Sequence, residues 1–137
     1  MSHEAYYEKV KKLKSVLVVV TDPQQIQKGS VEIDVELAKL AKNLEVYTRL
    51  SVHAGARLAL LDKEFAEKYL ESFDSWTDER LEAMTANRGH KEKLVKAELR
   101  EQQFLIDETK NALLYFNRMQ ECCIQWMNIY KKLRGEP

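Results

Sequence analysis

From Lys91 to Leu133 the chain runs for 43 residues without a glycine or a proline. These residues punctuate most chains, because proline breaks a helix and glycine loosens one. A span that lacks both is predicted to be helical throughout, ~65 Å long at 1.5 Å per residue. The rest of the sequence has the same character. It holds 4 Gly and 2 Pro among 137 residues, with 45% apolar and 32% charged side chains. That composition predicts a mainly all-α globular chain, neither all-β nor disordered, of a length suited to one domain. The longest uninterrupted apolar run is Val16 to Val20, too short for a transmembrane helix or a secretory leader. Cys122 and Cys123 are adjacent, which is no disulfide framework and points to a reducing compartment.

The predicted organisation is a single helical domain over 1-137, with an N-terminal part (1-33), a first long helical segment (34-86) and a C-terminal long helix (91-134). Ser2 can cap a helix that ends near Lys14 among lysines, which suit the negative end of its dipole. Ser15 to Val20 is a β-branched run of strand length, broken by Thr21-Asp22-Pro23. Lys28-Gly29-Ser30 reads as a turn and Val31 to Ile33 as a second short strand, so a small N-terminal β-hairpin is predicted. Asp34 then serves as an N-cap. Leu37, Leu40, Leu44 and Tyr47 open a helical seam that continues through Leu58, Leu61 and Phe65 to Tyr69, Phe73 and Trp76. Ser51, Ala54, Gly55 and Ala56 interrupt it with small residues, marking a close helix contact or a break. Thr77 caps a short helix, and Asn87 to His90 form a loop in which Gly89 is free to adopt positive φ.

Leu113 to Leu133 is apolar on almost every side, so it should be buried on every side. We read this as a self-associating surface carried by Leu113, Phe116, Met119, Trp126, Met127 and Tyr130, with an ordinary bundle core as the alternative. The helices are then long members of an elongated bundle or hairpin. Charge totals balance at 22 against 22, but not locally. Residues 1 to 30 carry a net +2, 31 to 90 a net −4 and 91 to 137 a net +2, an asymmetry that suits head-to-tail contacts between copies.

No catalytic constellation is present: there is no phosphate loop, no nucleophile elbow and no metal spacing among His3, His53 and His90. An enzyme is therefore not expected, nor a metal or other cofactor. Asp62, Glu64, Glu67 and Glu71 read as solvated helix pairs, and the two cysteines as small hydrophobes. The densest basic cluster is Arg88, His90, Lys91, Lys93, Lys96 and Arg100. The lysine run from Lys9 to Lys14 is a second cationic candidate.

Three stretches carry a resemblance. Lys28 to Asp34 reads as a lysine followed by a V-x-I-D entry into a helix. Asn43-Leu44-Glu45-Val46-Tyr47-Thr48-Arg49 reads N-h-x-h-Y-[ST]-[KR], where h is hydrophobic. Ala112 to Phe116, with Glu121-Cys122-Cys123, Met127, Tyr130 and Lys131, forms the third. Together they resemble the UvsY-type recombination mediator proteins of T-even-like bacteriophages. The resemblance implies a mostly helical accessory protein that forms a ring of homo-oligomers (~six or seven copies) in the cytoplasm of the infected bacterial host. It would bind single-stranded DNA and help a RecA-like phage recombinase displace the phage single-strand-binding protein.

Carried over, it adds Lys68 to Arg88, Lys91, Lys93, Lys96 and Arg100 as DNA-binding residues. The sequence departs from the family pattern in keeping Lys68 but not the arginine two residues on. It also has extra N-terminal residues and ends at Pro137, where the family continues into an assembly segment. The rival reading is a helical interaction protein, a host-protein inhibitor or a scaffold component, that ignores nucleic acid.

Overall fold

The structure is a computed structural model. It describes residues 2–25, 32–84, 86 and 88–135, with the backbone alone at Gln25 and Arg88. The described residues form α-helices α1 (His3–Lys14), α2 (Ile33–Ser75), α3 (Asp78–Ala83), α4 (Lys91–Glu98) and α5 (Arg100–Leu133), with 3₁₀ turns at Pro23–Gln25 and Arg88–His90. The all-α expectation holds. Among the described residues no helix is long and apolar enough to cross a membrane. The chain packs as two compact units, Met1–Gly55 with Ala112–Pro137 (unit 1) and Ala56–Asn111 (unit 2).

In unit 1 the Ser2 hydroxyl accepts the Ala5 N–H at 3.1 Å and starts α1, whose Tyr6 and Val10, four residues apart, lie buried. The first part of α2 pairs with the last part of α5. Leu40, Tyr47 and Ala54 recur every seven residues on α2, and Phe116, Cys123 and Tyr130 do so on α5. This is the spacing of a seam between two packed helices. Polar pairs set its direction and register. Ser51 bonds Asn117, Thr48 bonds Gln120, and Asp34 pairs with Arg134. Each step back along α2 is matched by an equal step forward along α5, so the helices are antiparallel. Burying each large apolar side chain in such a core contributes ~1.5–3 kcal/mol.

No N-terminal hairpin is seen among the described residues; its predicted turn, and Val31, lie outside them. Ile33 is not strand but the first residue of α2. The β-branched run forms no strand: Ser15 is αR and closes α1, Val16 continues the turn, and Leu17 to Val20 carry no regular secondary structure and are held by side chains. The Asn43 carboxamide donates to the Val18 carbonyl (2.8 Å) and accepts the Val18 N–H (3.0 Å). Buried Glu36 accepts the Thr21 N–H, and the Tyr130 hydroxyl donates to the Thr21 carbonyl. These groups replace a neighbouring strand.

Unit 2 is built around Trp76, Leu81, Val95 and Leu99, with Phe65, Tyr69, Ala86 and Leu94 against them. Thr77 caps α3 through its hydroxyl, which accepts the Arg80 N–H. The Arg80 guanidinium stacks 3.7 Å from the Trp76 ring centroid and bonds Ser75 and Glu98. Gly89 sits within a 3₁₀ turn.

Three further boundaries differ from the sequence reading. Asp34 lies inside the first turn of α2, where its charge suits the dipole, rather than at the cap. The small residues at 51 to 56 do not break α2, which runs through them. The long C-terminal helix is interrupted at Leu99, whose φ of −100° and ψ of 18° close α4. Leu99 is buried in the unit 2 core; tertiary packing, not glycine or proline, accompanies this break.

Candidate nucleic-acid interface

The structure separates the two residue sets. Lys68, Arg88, Lys91, Lys93, Lys96 and Arg100 all belong to unit 2, and the six expected assembly residues all belong to unit 1. Lys68, Lys93 and Arg100 are exposed, with no carboxylate partner among the described residues. Lys96 lies 3.0 Å from Glu92, whose hydrogen bond and charge push the lysine pKa up. Lys91 is half-buried, its Nζ 4.0 Å from the Phe73 ring centroid. Arg88 contributes the backbone of a 3₁₀ turn. Unit 2 as a whole carries 10 basic and 13 acidic residues, a net −3.

Unit 1 carries 12 basic and 9 acidic residues, a net +3. Its carboxylates are partly engaged already, in Glu36–Lys39, Glu45–Arg49 and Asp34–Arg134. Lys9, Lys11, Lys12, Lys14, Lys42, Arg118, Lys131 and Lys132 have no ion-pair partner among the described residues, and all are exposed. The α1 lysines follow from its pattern: Tyr6, Val10 and Leu13 pack inward, which turns the intervening lysines to solvent. Half-exposed Tyr7 on the same helix and Tyr115 on α5 add aromatic surface. The net-positive unit therefore contains the run that sequence reading ranked second. Net charge counted along the sequence could not show this, because unit 1 joins residues from both ends of the chain.

The expected assembly residues serve this chain's own core. Phe116 and Tyr130 are 1% and 0% exposed. Leu113, Met119, Trp126 and Met127 are partly buried against the same cluster. The bundle-core alternative describes these six side chains. The outward apolar groups of unit 1 are others, among them Val52, Leu114 and Ile124. Cys123 is buried, and desolvation pushes its thiol pKa up, as for a cysteine used as a hydrophobe. Half-buried His53 stacks on Tyr6, ring centroids 4.9 Å apart.

Among the described residues no three His, Cys, Asp or Glu side chains are placed to hold a metal ion. What unit 1 offers chemically is exposed cations without carboxylate partners among the described residues, the kind of group that neutralises phosphates without reading bases. Compared with known proteins, the chain matches no family model, no curated protein and no solved structure.

Proposed function

We propose that this chain is a non-enzymatic accessory factor that binds single-stranded DNA and assists loading of a RecA-like recombinase in place of a single-strand-binding protein. One observation carries the reading: eight exposed cationic side chains of unit 1 lack a carboxylate partner among the described residues. Each cation placed on a phosphate releases condensed counterion, so binding would be sequence-tolerant and salt-sensitive. The motif resemblance supplies the recombination context. Copies associate, in this reading, through outward apolar groups such as Leu114 and Ile124, and a ring multiplies a modest patch by the number of copies.

Fluorescence anisotropy of a labelled single-stranded oligonucleotide tests this, at low and high salt with a duplex control. Salt-sensitive binding that prefers the single strand is expected. A folded protein that binds no strand at low salt would overturn the reading. The second reading, an interaction protein without nucleic acid, then takes its place, favoured by the exposed Val52 and Leu114.

A further inference from the structure

Beside the seam of unit 1 lies a cavity of about 160 Å³. Organic-ligand sites run to ~300–1,000 Å³, so this one suits an ion rather than a metabolite. One wall is a single face of α5, formed by Met119, Cys122, Cys123 and Trp126. Met119 stands three residues from Cys122 and four from Cys123, the spacings that bring helix side chains together. Both thiols are free, Cys123 buried and Cys122 half-buried. A thioether stands outside the His, Cys, Asp and Glu groupings considered above, and Met119 supplies one here.

The other polar side chains of the lining are committed or neutral. Asn43 spends its carboxamide on both backbone groups of Val18. Tyr47 offers a phenol, which is neutral in the physiological range. No carboxylate, imidazole or ammonium is among the described lining residues. A hard cation, which takes a shell of oxygens, is therefore not served. Two thiols and a thioether remain, and such donors select soft ions. Zinc closes its structural sites with four donors, one more than this wall supplies. Iron–sulfur clusters take four cysteines. Copper(I) is soft and is satisfied by two or three sulfurs.

We propose that Met119, Cys122 and Cys123 form a three-sulfur site for a soft monovalent cation of the copper(I) class. On binding, two S–H bonds give way to two sulfur–metal bonds, and both protons pass to solvent. The thioether adds a lone pair, and no electron changes hands. Without the ion the same thiols pack as small apolar groups of the seam. The site is independent of strand binding and stands or falls without it.

The test titrates the reduced full chain, without oxygen, with copper(I) held by the coloured chelator bicinchoninate. The chain should withdraw one ion per copy, show an ultraviolet thiolate-to-copper absorption band and sediment as before. Cys122→Ala, at a half-buried position, and Met119→Leu, which nearly conserves volume, should keep the helical signal by circular dichroism. Each should weaken retention about tenfold or more. Excess zinc should leave the ion in place. A wild-type chain that withdraws no copper overturns the proposal, as does unchanged retention in either variant. One ion shared by two copies, with the sedimenting mass doubled, would be a bridge between Cys122 thiols and would overturn the site within one chain. Displacement of the ion by zinc would overturn its assignment to soft monovalent cations.

Discussion

The carboxamide of Asn43 joins both backbone groups of Val18, and each half is needed. An isosteric hydrocarbon would leave a partly buried N–H and C=O without partners. Asn43→Leu is therefore expected to lower stability by about 2 kcal/mol, read from the urea midpoint of unfolding. Asn43 stood out in the sequence only as the first residue of a motif; the structure gives it a physical task. Tyr47, four residues on, makes a pH prediction. Desolvation, then the neighbouring Tyr115, pushes its phenol from the ordinary 10.0 up to about 12. Burial, then the charges of Glu36 and Asp22, shifts Tyr130 in the same direction. Unfolded tyrosines lose their protons at lower pH than these folded ones. The stabilisation is present in full below the ordinary value and is lost as pH rises through about 12. Thermal melts on the two sides of that window should show Tm falling with pH, and Tyr47→Phe should flatten the fall.

Gly55 lies inside α2, and a Cβ built there meets nothing within 4 Å. Gly55→Ala should stabilise the chain by about 0.5–1 kcal/mol and raise Tm, since glycine in a helix interior carries an entropic cost. If Tm fell instead, an unseen neighbour must occupy that space. Two helix starts were directly legible. Ser2 and Thr77 cap through their own hydroxyls within three residues, so their signal is local. The N-terminal run was less legible, for the opposite reason. The β-branched run pairs with no strand, and the groups that hold it and the adjoining Thr21, the Asn43 carboxamide and the Tyr130 hydroxyl, lie far along the chain. The seven-residue recurrence of Phe116, Cys123 and Tyr130 was visible in the sequence and marks the seam that the apolar-all-round reading overlooked. Phe116→Ala should accordingly cost about 3–5 kcal/mol and unfold the chain, rather than merely dissociate copies. Circular dichroism separates the two outcomes.

The charge of each packed unit differs from that of any sequence window, because unit 1 gathers both ends of the chain and becomes the basic one. Neutralising Lys11 and Lys12 together to Gln should reduce the slope of log affinity against log salt by about two. The same change at Lys93 and Lys96 should reduce it by about one, since Lys96 already pairs with Glu92. A larger effect at Lys93 and Lys96 would return the footprint to unit 2. In the proposed assembly the outward contact is Leu114, 62% exposed. Leu114→Glu should keep the helical signal and shift the sedimentation coefficient toward the single chain.

The antiparallel register has a consequence for how such a chain changes over generations. Ser51 stands beside Asn117, so four residues further on Gly55 stands level with Leu113. The segment between them leaves and returns at neighbouring points, which makes it an insertion in the topological sense. The pairings of Ser51, Thr48 and Asp34 all lie outside that insertion. A gene could lengthen it, trade it or replace it with a short glycine turn, and the reading frame would still encode an intact seam.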